Sequence, residues 1–569
     1  MIPSTVLWRI LCLFLAASQA SPVPYYGHRV VEQLPGIPEG WSEDRPPSPS
    51  TSMKFRMAIR HDKTAEIEQK AVDISTPGNR LYGQFMKREE IDDLLRPSDN
   101  ALNAILSWMK SEHVPNDKIE RHGNWLTWTI PVSQAEKMLH TRFRAFRNDD
   151  SQNVDIRTLE YSVPRHVYDH IQMIQPTTRF GDSNPQEPPW SNYSPDPHSL
   201  DDSCSSVVTP GCLRALYGVY DTQAHPNPQN TLGMSGFLDQ YARYDDFYSF
   251  MRAYSPHENE ANFTVVSING GLNEQNSFLP SHKASIDVQY ALSLAYNTTA
   301  TYYTTGGHDP SVSGAVDAPK HGNPANEPYL EQLHYLLGLP DKDLPAVLST
   351  SYSTPEHKVP VSYANQTCNM FAQLGARGVS VIFASGDSEV RGPCSSHNDI
   401  NNKEPLPSFP ASCPFVTAVG GTHDVNPEKA ASFSGGGFSE VFPRPEYQDN
   451  AVRQYFDKLD NEQNRLYKQR GRGVPDVAAQ AVDFLYVDHG RHRKSNSTRF
   501  VLPILTLSWP ASLITHQCRC VCICSHRLPI KRSSFGERSA QNGVSEPLAV
   551  LAEPDGFHGY CGRRLHRLH

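Results

Sequence analysis

The stretch GVSVIFASGDS, residues 378–388, decides the fold. Four of the five residues Val381–Ser385 are apolar, so the run is too hydrophobic for a strand with one wet face. A Gly-Asp pair closes it. ANFTVVSING at 261–270 and CPFVTAVGGT at 413–422 have the same form. Between such runs lie helical patterns: SIDVQYALSLAY (285–296), PYLEQLHYLLGL (328–339) and YANQTCNMFAQLGARG (363–378). Near-continuous apolar strands that alternate with helices predict a parallel α/β sheet covered on both faces. Sites in such sheets lie outside the C-terminal ends of the strands. That rule puts Gly386 and Asp387 at the functional edge.

Upstream the pattern changes. MKFRMAIR (53–60) is strand-like, and residues 64–98 read as a helix, a Pro-Gly turn and a second helix ended at Pro97. ALNAILSWMKSE (101–112) is a periodic helix with apolar residues at 102, 105, 106 and 109. Residues 123–147 read as strand, helix capped by Ser133, and strand. Together they predict a separate α+β unit with no catalytic constellation of its own. A polar, Pro-rich linker at 181–203 separates it from the α/β domain at 204–490.

The whole chain has 569 residues, a net charge of −9 and 38% apolar residues. A pI of about 6.2 argues against nucleic acid or an anionic membrane surface as partner. Residues 1–20 read as a secretory signal, with an apolar run at Ile10–Ala17 and small residues before Pro22. No later apolar run is long enough to span a membrane. Sequons at Asn192, Asn262, Asn297 and Asn365 fit a secreted glycoprotein, and a fifth falls at Asn496. Cys204 and Cys212 are expected to close a small disulfide loop at Pro210-Gly211. Cys368, Cys394 and Cys413 form an odd set that needs a further partner.

SHKASIDVQY (281–290) reads as the start of an amphipathic helix with Lys283 one turn before Asp287. In isolation such a pair is a solvated i,i+4 salt bridge worth a few tenths of a kcal/mol. Two carboxylates at that spacing could instead share a proton. Here the first position holds a base rather than an acid.

A run of motifs gives this helix its context. STPGNRLYGQFMKREEIDDLLRPS (75–98), HIQMIQPTTRF (170–180), TPGCLRALYGVY (209–220), KASIDVQYAL (283–292), FASGDS (383–388), PSFPASCPFVTAVGGT (407–422), FSGGGFSEVFPRPEYQ (433–448) and GRGVPDVAAQ (471–480) occur in that order. In this the chain resembles the sedolisins, the serine-carboxyl peptidases, and most closely their secreted fungal tripeptidyl-peptidase-like branch. The resemblance covers roughly residues 55–490. It implies a subtilisin-like parallel α/β sheet flanked by helices, preceded by an α+β propeptide domain (pro-kumamolisin-like) at 21–180. It also implies a Glu-Asp-Ser triad, an aspartate at the oxyanion, a bound calcium ion near the C-terminus and an acidic working pH. Asp287 falls on the triad aspartate and Asp387 on the oxyanion aspartate. Lys283 falls where the triad glutamate should stand. Ser434, Gly435, Gly436 and Gly437 fall on the substrate groove.

The nucleophile motif, a serine after Gly-Thr, should follow within about twenty residues of the GRGVPDVAAQ region. RHRKSNSTRF (491–500) stands there, and Gly-Thr-Ser occurs nowhere. The segment 491–569 also lacks the aspartate- and glycine-rich loops of the family's calcium site, and it ends in a basic tail. CRCVCIC (518–524) could be a soft-metal cluster. The favoured reading is that a retained intron or a shifted frame supplies this tail. The implied protein is a secreted zymogen acting on peptides or proteins, with its own propeptide as partner. As written, this chain should be inactive. The alternatives are a peptide-binding pseudopeptidase and the product of a mis-spliced gene.

Overall fold

The structure is a computed structural model. It describes residues 27–149, 152, 154–181, 190–192, 204, 206–217, 231–258, 260–295, 298–307, 327–387, 407–425, 427–458 and 468–498. The expected signal segment, Asn297, Cys394 and the CRCVCIC run lie outside the described residues.

The N-terminal unit is built on a four-stranded antiparallel sheet of β1 (Ser52–Ile59), β2 (Glu120–His122), β3 (Trp125–Pro131) and β4 (Ile171–Gln175), in the order β2-β3-β1-β4. Helices α1 (Thr64–Ser75), α2 (Asp99–Ser111) and α3 (Val132–Met138) belong to the same unit. The sequence sets the start of α2: the Ser98 hydroxyl accepts from the Ala101 amide at 3.2 Å, and Asp99 sits in the first turn. Its buried face, Ala101, Ile105, Trp108 and Met109, packs on Met53, Phe55 and Met57. One expectation fails in detail. Ser133 does not cap α3 but lies inside it, because Pro131 takes the cap position with extended backbone. Proline suits the boundary, since its φ is fixed and it has no amide to leave unpaired.

The linker contributes a short strand, β5 (Trp190–Asn192). After it come β6 (Thr231–Gly236), α4 (Tyr244–Tyr254), β7 (Phe263–Ile268), α5 (His282–Leu294), β8 (Thr299–Thr305), α6 (Tyr329–Gly338), β9 (Val347–Thr350), α7 (Val361–Ala376) and β10 (Ser380–Ala384). Then follow β11 (Thr417–His423), β12 (Lys429–Ala430), β13 (Gly437–Pro443), β14 (Gly471–Val474), β15 (Val477–Gln480), β16 (Phe484–Asp488) and β17 (Arg491–Ser495). An eight-stranded sheet runs β7-β8-β6-β9-β10-β11, with β15 and β12 also paired to β11. All its pairings are parallel except β11 with β12.

The decisive stretch behaves as its composition demands. Along β10, Ile382 and Ala384 face one core with α4 and α5. Val381 and Phe383 face the other core with α6 and α7. A period-two strand with both faces covered must be apolar throughout. Fully burying a side chain such as Ile382 or Phe383 contributes about 1.5–3 kcal/mol.

The N-terminal unit docks on the outer side of α6 and α7. Ile67, Ala71, Ile74, Met86, Ile91 and Leu95 close over Ala372 and Ala376. Arg56 on β1 forms an ion pair with Glu331 on α6. The ring of Trp125 meets that of His334 edge-on at 4.6 Å.

Candidate active site

Helix α5 is not the amphipathic helix that its sequence suggested but is enclosed on every side. Every residue from His282 to Leu294 is buried. The Lys283/Asp287 pair is therefore an interior feature. Both members lean on the two residues that follow β9. The Ser351 hydroxyl donates to Asp287 Oδ1 at 2.6 Å, and the Lys283 ammonium stands 4.8 Å above the Tyr352 ring. The Lys283 backbone amide donates to Gln240 Oε1 at 3.2 Å. Burial holds the Tyr302 phenol well above its ordinary range, and its neighbours Tyr352 and Asp287 add to the effect.

Asp387 stands past the C-terminal end of β10, the parallel neighbour of β9. The turn into it needs glycine, because Gly386 has φ +105° and a Cβ there would lie 2.6 Å from Ser408 Oγ. Both oxygens of Asp387 accept. Ser497 Oγ donates to Oδ2 at 2.6 Å, while the amide and hydroxyl of Thr498 donate to Oδ1 at 2.7 and 2.9 Å. The folded region thus continues past residue 490, the limit expected from sequence. β16 and β17 form a hairpin whose exit carries Ser497 and Thr498 to the sheet edge.

The SGGG segment closes on the same edge. The Gly435 amide donates to the Gly386 carbonyl at 2.8 Å, and Ser434 Oγ accepts from the Gly421 amide at 3.0 Å. A Cβ on Gly435 would lie 2.5 Å from the Ser385 carbonyl oxygen. Gly436 packs against the Val474 carbonyl, and Gly437 opens β13. The structure therefore gathers the loop and Asp387 around Gly386, and Asp287 and Lys283 around the end of the adjacent strand.

Comparison with known proteins identifies the chain. Residues 39–180 match the family described as Pro-kumamolisin, activation domain. The probable tripeptidyl-peptidase SED3 of Arthroderma benhamiae is 48% identical over 485 residues, which is 85% of this chain and 81% of that protein. The tripeptidyl-peptidases SED3 and SED4 of Arthroderma otae are each 47% identical, over 487 and 468 residues. These alignments cover 85% and 81% of this chain, and 81% and 77% of the relatives. The chain belongs to the sedolisin family. Among solved structures, a Pseudomonas sedolisin bound to pseudo-iodotyrostatin aligns with 54% of this chain and 80% of its own, at 18% identity and a TM-score of 0.38. That likeness carries no weight by itself.

Within this sedolisin, Cys204 is bonded to Cys212 as expected. Cys368 is bonded to Cys413, a pair that the odd set left open. Of the described sequon residues, Asn192, Asn262 and Asn365 are exposed, while Asn496 is half-buried and accepts from the Asp483 amide. No cluster of three or more His, Cys, Asp or Glu among the described residues could hold a metal. Residues 499–569 carry only four scattered acids, Glu537, Glu546, Glu553 and Asp555. Among the described residues, no helix is long and apolar enough to cross a membrane.

Sequence reading missed Ser351 and Tyr352. Both lie in STSYST, just beyond β9, and the rule that found Asp387 at a strand end would also have found them.

Proposed function

We propose that this sedolisin is a secreted, acid-type serine-carboxyl peptidase zymogen of tripeptidyl-peptidase or endopeptidase type, and that its site is chemically disabled as written. The relatives' names and the activation domain support the type. The observation that carries the disabled reading is Lys283. It occupies the helix position one turn before the buried Asp287, with its ammonium over Tyr352. A serine nucleophile stays weak until a base takes its proton. At acid pH histidine is charged, so a carboxylate has to serve, and a second carboxylate one turn away tunes it. An amine is protonated at that pH and donates instead of accepting. Asp387, the oxyanion residue by resemblance, is engaged by Ser497 and Thr498 where Gly-Thr-Ser is missing.

A second reading is a peptide-holding pseudopeptidase, favoured by the same intact sheet edge without a base. Four chains separate the readings: unaltered, Lys283→Glu, a family-like C-terminus, and both changes. Each is assayed at pH 3–6 with an unblocked tripeptide-linked dye and an acid-denatured protein. The unaltered chain and Lys283→Glu alone should not cleave. The C-terminal repair alone should stay at least about a hundredfold below the double repair. Strong cleavage by the unaltered chain would refute the disabled site and make Ser497 the first suspect. An inert double repair, with peptide binding retained, would favour the pseudopeptidase.

A further inference from the structure

The strand in the linker sits on a built platform. β5 runs antiparallel along the outer edge of β17, with Trp190 opposite Ser495 and Asn192 opposite Arg493. The Trp190 ring lies 4.1 Å from the Arg493 guanidinium carbon and 5.4 Å, centroid to centroid, from the His282 ring. Both supports are fixed from behind by β16. His282 Nδ1 shares a 2.7 Å hydrogen bond with the Tyr486 hydroxyl, and Arg493 Nε lies 3.5 Å from Asp488 Oδ2. Arg493 is only 8% exposed, yet its Nη1 has no hydrogen-bond acceptor among the described residues. Trp190 is 45% exposed. The cradle therefore belongs to the peptidase domain, and among the described residues the linker strand meets it through three residue pairs.

We propose that the outer edge of β17 is a strand-accepting peptide site, selective for an extended segment that lays an aromatic side chain on Arg493 and His282. The linker segment Trp190–Asn192 is its tethered occupant. Main-chain pairing along the edge supplies affinity, and the aromatic cradle supplies selectivity. A guanidinium over a ring is attracted by the ring's negative face, most strongly when desolvated. Tethering gives the linker an effective concentration in the millimolar range, so it shuts out free peptides while it is attached. Direction follows from the antiparallel register. The N-terminal end of the bound segment lies beside Ser495, toward Ser497 and Asp387. The site rests on this edge and cradle alone and does not require peptidase activity.

The test uses the full chain and a full-length variant in which residues 188–194 are replaced by a Gly-Ser stretch of equal length. The probe is a labelled peptide of residues 187–195, EPPWSNYSP, with a second peptide carrying Ala for Trp. Anisotropy should show the Trp peptide binding the Gly-Ser variant at least tenfold more tightly than the unaltered chain. The Ala peptide should bind at least tenfold more weakly. Arg493→Ala in the Gly-Ser variant should abolish binding, and Arg493→Lys should weaken it. Amide exchange at Arg491–Ser495 should rise in the Gly-Ser variant and fall when the Trp peptide is added. Equal binding to both chains, indifference to the tryptophan, or no binding by a Gly-Ser variant whose exchange elsewhere is unchanged would each overturn the proposal.

Discussion

The Ser351 hydroxyl donates to the buried carboxylate of Asp287 at 2.6 Å. This bond ties α5, which carries Lys283 and Asp287, to the C-terminal end of β9. It fixes where the helix sits along the sheet edge. Ser351 is itself fully buried, so its removal admits no replacement donor from solvent.

Ser351→Ala should therefore destabilise the chain by about 1–3 kcal/mol, the range for stripping a partner from a buried polar group. Ser351→Thr keeps the hydroxyl and should cost less unless the extra methyl overpacks the site. Urea unfolding followed by tryptophan fluorescence gives both values. A Ser351→Ala chain as stable as the parent would show that the bond is not made.

Gly435→Ala tests the closure of the SGGG loop. The new methyl would sit 2.5 Å from the Ser385 carbonyl oxygen and 2.9 Å from that of Gly386. Both obstacles are backbone, so neither can swing aside. The loop must retreat, at a cost of about 1–3 kcal/mol, and it should draw Gly386 and Asp387 with it. Amide exchange at Gly435, Gly386 and Thr498 should rise together. Gly375→Ala is the control, because a Cβ there meets nothing.

The parallel sheet was legible because Val381–Ala384 of β10 is apolar on both covered faces. The sheet-edge rule then found Asp387 without any contact being known. What sequence misjudged was burial. Lys283 and Asp287 have the spacing of a solvated pair, and nothing local reveals that Ser351 and Tyr352 beyond β9, together with Gln240, meet them, or that β16 and α4 pack on α5. Likewise, RHRKSNST has no strand-like apolar alternation. It forms β17 because Phe484–Asp488 offers it an edge five residues long. The aromatic cradle escaped for the same reason, since Trp190, His282 and Arg493 are far apart in the chain.

His334 makes docking of the N-terminal unit pH-dependent. It lies on α6 against Trp125, and its Nε2 is buried without a hydrogen-bond partner among the described residues. Burial, and then the charges of Arg56, His122 and Lys54, lower its pKa to about 3. Undocked and exposed, it would titrate near 6.5. Docking is thus unpenalised above pH 6.5 and loses stability as pH falls toward 3, by about 2–3 kcal/mol at pH 4.5. His334→Phe should remove this loss, as measured by accessibility of the interface to protease from pH 7 to 4. Glu32 acts in the opposite sense. It accepts from Ser362 across the same interface, and burial raises its pKa. Its contribution is complete at low pH and fades as pH rises through the raised value. The His334→Phe chain should therefore dock slightly better at pH 4 than at 7. An unchanged loss of docking in acid would remove His334 from the account.

The chain beyond β17 returns to the sheet edge at Asp387. Ser497 and Thr498 are fully buried and both donate to Asp387. Asp387→Asn and Ser497→Ala should therefore not act independently. Asn at 387 presents an amide donor toward hydroxyl and amide donors, which should cost about 1–3 kcal/mol. Ser497→Ala removes one of those donors and should cost about 1 kcal/mol alone. The double variant should be less destabilised than the sum of the singles, with a coupling of at least about 0.5–1 kcal/mol. Thr498→Val in place of Ser497→Ala should show coupling of the same sign, because its hydroxyl meets the other oxygen of the same carboxylate. Strict additivity in both cycles would mean that residues 497 and 498 do not reach Asp387. The loss of Gly-Thr-Ser would then have left the edge without any substitute from this segment.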